Sequence, residues 1–383
     1  MGSRKSANES VNSIQDFYII LSSVIETDPE GKMGSVKDLE IIQQPTAEEL
    51  GVGKFTFSDR YSVFDWGEMP DHIPMKSQSL AMMGAYNFAE LQKRNVPSHF
   101  ISLYSEDDET GFNPDRPSNT MYVQLTKVLP IEDEYAAFRE DRPHYLLPLE
   151  IIFRNGAPAG SSLFKKFDRA RGNPDEFNDL LQSLNLTEEP EPGDFFPKPV
   201  YDFTTKLESA DRPISYEEAQ TMAGLDNSEF QQLLDLAGQA NQFITERAES
   251  VGMQHFDGKI EVMYNHGDIQ LVDVLGTFDE NRFLYQGEQV SKEILRQAYK
   301  SYQPGWVEEV SRAKAAASRE NDPNWKTYCR REPEPLPDEL ITLVSRIYQA
   351  GANLYIGEKV FQDVPELQDL IPELKRQKER LSP

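Results

Sequence analysis

The stretch Phe256-Asp257-Gly258-Lys259-Ile260-Glu261-Val262, followed after a polar turn by Ile269-Gln270-Leu271-Val272-Asp273-Val274, constrains this chain most. Both arms set charged side chains among β-branched and aliphatic ones, and Asn265-His266-Gly267-Asp268 between them carries hairpin turn chemistry. Residues opposed across a hairpin have Cβ atoms roughly 4.5–5.5 Å apart, so one carboxylate on each arm, Glu261 and Asp273, makes a site for a hard divalent cation such as Mg²⁺. Register decides whether they meet. A two- or four-residue loop centred on His266-Gly267 sets Glu261 opposite Val272 and turns Asp273 to the other face, because side chains alternate with period two. A three-residue loop with a glycine-assisted bulge sets Glu261 opposite Asp273, so a shared cation predicts the odd-length turn. The plain alternative is two solvated carboxylates.

The chain has 383 residues, enough for two domains or one large α+β unit. No apolar run approaches the ~18 residues of a membrane span, and the apolar group Phe17 to Leu21 is too short for a signal-peptide core, which leads us to expect a cytoplasmic protein. Cys329 is the single cysteine, so no disulfide can form within the chain. Thirty-nine Lys and Arg against 65 Asp and Glu give a net charge of −26, a field that disfavours nucleic acid and anionic membranes as partners. An anionic small-molecule substrate then needs a locally basic pocket. The five histidines show no ligand spacing, which argues against zinc.

Along the chain, residues 1–33 read as a polar leader, 34–120 as an N-terminal α+β lobe, 121–300 as a central α+β lobe and 301–383 as a helical C-terminal extension. Strands are expected at Val36 to Ile42, Lys54 to Phe57, His99 to Tyr104, Met121 to Pro130 and Leu146 to Arg154. Helices are expected at Met75 to Lys93, Glu229 to Ser250, Ser291 to Tyr299 and Asp338 to Ala350, the second capped from Asp226 to Ser228. Phe167 to Pro199 reads as an irregular surface insertion and Pro333 to Pro337 as a stiff connector. Antiparallel strands with interspersed helices argue α+β.

Five blocks in order carry a family resemblance. They are Ser58-Asp59-Arg60-Tyr61-Ser62-Val63-Phe64-Asp65 with Ile73-Pro74-Met75-Lys76-Ser77; Leu147 to Asn155 with Ala159-Gly160-Ser161; Asp257 to Glu261; Asp273 with Asp279 to Arg282; and Ser291 to Arg296. Together they resemble the SAICAR synthetases, over roughly Gly34 to Tyr299. Gly34-Ser35-Val36-Lys37-Asp38 resembles the same family's phosphate loop, with Lys37 the retained base. The resemblance implies a two-lobed fold with mainly antiparallel sheets. It also implies an ATP-dependent ligase of purine biosynthesis that joins L-aspartate to the carboxylate of carboxyaminoimidazole ribonucleotide, releasing ADP and phosphate.

The same resemblance implies roles for single residues. Glu261 and Asp273 would hold Mg²⁺ on the ATP phosphates, with Lys37 and Lys76 also on the nucleotide. Asp257 and Lys259 would act at the reacting centre, and Arg154, Ser161, Arg282 and Asp211 would contact the ribonucleotide side. Ser35, Met75, Ser77 and Val274 depart from the family pattern, and the loop before Ser161 is one residue longer, so that Ser162 is an alternative to it. A related ligase or kinase-like activity on another substrate, and a non-catalytic nucleotide-binding protein, stay open, as does a homo-oligomer.

Overall fold

The computed structural model describes residues 36–381 except 109, 141–142, 209–210, 321 and 323. The expected leader and Gly34-Ser35 of the phosphate loop lie outside the described residues. Two antiparallel sheets carry the fold. The first holds β1 (Lys37–Gln43), β2 (Gly51–Phe57), β3 (Phe100–Ser102) and β4 (Thr120–Leu125) in the order β1-β2-β4-β3. The second holds β5 (His144–Ala157), β6 (Asp194–Thr205), β7 (Pro213–Ile214), β8 (Met253–Asn265), β9 (Asp268–Val272), β10 (Asn281–Tyr285) and β11 (Glu288–Gln289). Its order is β11-β10-β8-β5-β6-β7, with β9 beside the second half of β8. A split of the chain at residue 120 therefore falls at the head of β4, a strand laid into the first sheet between β2 and β3.

The sheets are joined through the main chain. Ser98 bridges to Leu271 of β9, the amide of His99 donates to the Leu271 carbonyl at 2.9 Å, and the His99 carbonyl accepts from Gln124 of β4 at 2.7 Å. With backbone pairing continuous across that seam, one apolar core serves both sheets, from Phe55 and Phe88 to Val262, Phe278 and Tyr348. Helix Asn227–Ser250 covers β8 and β9, started by a reciprocal capping box between Asp226 and Glu229. The C-terminal segment belongs to the body: helix Asp338–Ile356 packs on helix Lys76–Lys93, and Gly351 comes so close to Phe278 that a Cβ there would lie 2.6 Å from the ring.

The segment expected to be irregular, 167–199, is largely structured. It contains the end of helix Ser162–Ala170, helix Pro174–Ser183 and the start of β6. Asn173 caps the second of these helices and Pro174 occupies its first turn, where a missing amide costs nothing. The apolar faces of the pair meet Phe196 and Val200 in a small satellite core. Helices Tyr216–Ala223, Pro304–Glu320 and Leu367–Leu381 were not expected as separate elements.

The expected odd-length turn is overturned. Asn265 pairs with Asp268, leaving a two-residue loop of His266 (φ 51°) and Gly267 (φ 93°), and Glu261 stands opposite Val272. Two consecutive left-handed residues match the right-handed twist of the strands, so the tight turn wins over the bulge.

Candidate active site

On β8, Asp257, Lys259 and Glu261 are spaced by two and share one face. The register with β5 sets Arg154 opposite Asp257 and Glu150 opposite Glu261. Two carboxylates facing each other across a ladder repel, and both are buried, so the pair needs cations. Lys206, just beyond the end of β6, supplies one. Its ammonium is 2.6 Å from Glu261 Oε1 and 3.5 Å from Glu150 Oε1, and its amide donates to the Pro148 carbonyl at 3.0 Å. Lys259 supplies the second, 2.7 Å from Glu150, 3.9 Å from Glu261 and 3.5 Å from Glu280.

Asp273 reaches this group by another route than the one expected. It follows β9 with a φ of 64°, a left-handed conformation that breaks the strand's alternation and changes the direction of its side chain. Its carboxylate is ion-paired with Lys37 at the head of β1 and acts electrostatically on Glu261 and Lys206. The Lys37 ammonium also lies 4.6 Å from the centre of the Phe55 ring, and His99 is 3.2 Å from the Asp273 carbonyl.

The electrostatics are unequal. Burial pushes the Glu261 carboxyl up to about 7; Lys206 and Lys259 oppose this, but Asp273 and Glu150 add to it. For Asp273 burial acts upward too, yet Lys37 and then Lys206 hold its carboxyl below the ordinary range. Burial would lower Lys206 and Lys259, but the surrounding carboxylates, Glu261 first for Lys206 and Glu280 first for Lys259, keep both raised and charged. Around the group stand Glu150, Glu261, Asp273 and Glu280 against Lys37, Lys206 and Lys259, four carboxylates to three ammoniums.

Glu261 Oε2 is buried with no hydrogen-bond partner. An orphaned carboxylate oxygen in a group short of positive charge fits a divalent cation. Among the described residues no three His, Cys, Asp or Glu side chains form a metal cage.

At the other end of the face, Arg154 and Arg282 converge on Asp257. Arg282 donates to both carboxylate oxygens, through Nε at 2.8 Å and through a second, shorter bond. Arg154 lies 3.9 Å from Asp257 and donates through Nε to Asp202 at 2.6 Å. Gly258 lets β10 approach here, since a Cβ would fall 1.9 Å from Asn281 Oδ1. Ser161 caps helix Ser162–Ala170, its Oγ accepting from the Leu163 amide at 3.3 Å; the cap falls on Ser161, and Ser162 is the first helical residue. Asp211 is exposed at the end of the β6–β7 connection, in electrostatic range of Glu150, Lys259 and Lys206, and its carboxyl is raised by the protein crowding it and then by Glu150.

Lys76 is not part of this group. It is 0% exposed, 3.0 Å from Asp279, and it donates to the Arg60 carbonyl at 3.0 Å. Sequence reasoning gave no role to Glu150, and placed Lys206, with Glu208 and Asp211, only in a segment loosely similar to one the family holds near substrate and nucleotide. The signal was there for Glu150, one acid inside the otherwise apolar run Leu146 to Phe153.

Fold and site together define an α+β protein that holds a buried, acid-rich charged group against an antiparallel sheet. Residues 46–313 match the family model for SAICAR synthetase, and the chain belongs to that family. It is 38% identical over 346 residues to an Archaeoglobus fulgidus protein named as a candidate phosphoribosylaminoimidazole-succinocarboxamide synthase, covering 90% of this chain and 99% of the relative. The synthase of that name from Thermoplasma acidophilum is 28% identical, over 80% of this chain and 93% of its own. The SAICAR synthase of Saccharomyces cerevisiae, solved in complex with SAICAR, shares the fold with a TM-score of 0.56 at 18% identity, over 88% of this chain and 99% of the yeast one.

Proposed function

We propose that this chain is an ATP-dependent ligase that joins L-aspartate to the carboxylate of carboxyaminoimidazole ribonucleotide and gives SAICAR, ADP and phosphate. The observation that carries the reading beyond the family is the Glu150–Glu261–Asp273–Glu280 group, one positive charge short against its three lysines and with Glu261 Oε2 unpartnered. Phosphoryl transfer asks a protein for positioning and charge neutralisation more than for covalent help. Glu261 and Asp273 would hold Mg²⁺, which when bound neutralises the ATP phosphates.

The γ-phosphoryl group passes to the ribonucleotide carboxylate and ADP leaves. The aspartate amine then attacks the acyl carbon, loses a proton, and phosphate departs. Lys37 and Lys206 are stored on the very acids that would hold the cation, so each is free to turn to phosphate oxygens once that cation takes its place. Lys259, with about a third of its side chain exposed, faces the reacting carboxylate. Arg154 and Arg282 bind the ribose phosphate with Ser161, and Asp257 holds the two guanidiniums apart and oriented while the phosphate is absent. Asp211 borders the substrate. No helix among the described residues is long and apolar enough to cross a membrane; the reading places the enzyme in the cytoplasm with its ATP.

ADP release by the purified protein tests this. We expect release only when ATP, Mg²⁺, L-aspartate and the imidazole nucleotide are all present. Release with another acceptor alone moves the assignment to a different ligase or kinase, and ATP binding without turnover moves it to a binding protein.

A further inference from the structure

From Glu150 to Arg154 the pairing of β5 is regular on both sides, with β6 and with β8. Three rows of three side chains therefore share one face of the sheet: Thr204–Glu150–Glu261, Asp202–Ile152–Lys259 and Val200–Arg154–Asp257. Diagonal contacts bear this out, since Arg154 donates to Asp202 at 2.6 Å and Lys259 to Glu150 at 2.7 Å, passing on either side of Ile152. The first and last rows are buried, whereas every member of the middle row is partly exposed. Ile152 is also the only residue of β5 that is not buried. Solvent thus meets this face at its middle row, and there it finds an aliphatic side chain between a carboxylate and an ammonium.

The flanking rows decide what can lie over Ile152. Two residues along the strand, a step of roughly 6.5–7 Å, stands Arg154, which shares Asp257 with Arg282. Directly across the ladder, with its Cβ roughly 4.5–5.5 Å away, stands Lys259, paired with Glu150 and Glu280. In a ribonucleotide whose base carries a carboxylate, phosphate and carboxylate are separated by a ribose and a flat heteroaromatic ring. With the phosphate on the two arginines and the carboxylate at Lys259, the ring falls on Ile152. A β-branched side chain is stiff at χ1, so it offers a fixed apolar floor, and burying it against the ring is favourable. A polar side chain there would give up hydrogen bonds to water that the face of a ring cannot return.

We propose that Ile152 is a specificity-determining residue of the ribonucleotide site: its side chain carries the imidazole ring and so separates the nucleotide from a bare sugar phosphate. This rests on the ligase reading above. Calorimetric titration of the full-length protein without ATP tests it, with carboxyaminoimidazole ribonucleotide and ribose 5-phosphate as paired probes. Ile152→Ala should weaken the nucleotide about tenfold or more and ribose 5-phosphate by less than about twofold, and Ile152→Val should recover most of the loss. Ile152→Thr, which keeps the branched shape and adds a hydroxyl, should show the same split as Ile152→Ala. In turnover the loss should fall on the KM for the nucleotide, with the KM values for ATP and L-aspartate held within about twofold. An unchanged nucleotide affinity in these variants, or an equal loss for both probes, overturns the proposal. A wild type that binds the nucleotide through Ile152 yet releases no ADP with aspartate sinks the ligase reading and leaves the ring site standing. Normal aspartate-dependent turnover with an Ile152→Ala variant that binds the nucleotide as tightly as the wild type sinks the ring site alone.

Discussion

Two buried lysine–carboxylate groups, which take the consecutive residues Asp279 and Glu280 one each, are tuned in opposite directions. At Asp279, one carboxylate meets two ammoniums, Lys76 at 3.0 Å and Lys292 at 3.8 Å, and Tyr348 donates a hydrogen bond at 2.9 Å. Burial alone would raise this carboxyl, but the two lysines hold it at about 2. At Glu261 the carboxylates outnumber the ammoniums, one oxygen is left without a partner, and the carboxyl is pushed up to about 7. The residue types are the same. Each group leaves one carboxylate oxygen without a hydrogen bond, Asp279 Oδ2 and Glu261 Oε2, so what separates a strut from a site is the local charge count: two ammoniums close on the Asp279 oxygen, whereas the Glu261 group keeps a surplus of negative charge for something that arrives later.

The largest effect that could break this contrast is on catalysis. Glu261→Gln removes the negative charge while keeping the shape, and turnover with Mg²⁺ should drop on the order of 10³-fold or more, with the melting temperature held or raised. A near-normal rate would show that the orphaned oxygen is incidental. On the structural side, Lys76→Met strips the nearer cation from a carboxylate that is itself sealed. It should cost about 3–5 kcal/mol in urea unfolding, and the double variant Lys76→Met/Asp279→Leu should recover much of that. If the single variant were harmless, the Asp279 group would not be a strut.

How much of this was legible in the sequence follows the same division. Alternation along β8 placed Asp257, Lys259 and Glu261 on one face, and the tight-turn chemistry of His266-Gly267 was visible as one of two options. A cation shared by Glu261 and Asp273 favours the other option, because with β9 in regular alternation only an odd-length loop unites the two. Nothing in the sequence announces that Asp273 adopts a left-handed φ, since an aspartate tolerates that conformation only when its surroundings reward it, here through Lys37 and His99. Lys76 stands in surroundings that the sequence does not announce either. A cation at the start of a helix opposes the dipole and suggests a phosphate. The partner is instead Asp279, 203 residues away in sequence, and Asp59 caps the helix by accepting from the Met75 and Ser77 amides at 3.3 and 3.0 Å. Glu150 and Lys206 gain their meaning only from the β5–β8 and β5–β6 registers, which no local pattern fixes.

The smallest effect sharpens the contrast through pH. A carboxyl raised in the folded state binds its proton more tightly there than in the unfolded chain. Glu261 therefore favours the unfolded state progressively as pH rises from about 4.5 to about 7, by about 1–3 kcal/mol in total. Asp279 has the opposite sign: its depressed carboxyl contributes stability that is complete above the ordinary aspartate range and is lost as pH falls toward 2. Unfolding free energies of Glu261→Gln minus wild type should accordingly climb between pH 4.5 and 7 and then level off. For Asp279→Asn the deficit should be greatest near neutrality and shrink below pH 4. Parallel curves for the two variants would mean that both carboxylates sit in equivalent surroundings, and the distinction between site and strut would have to rest on something other than charge.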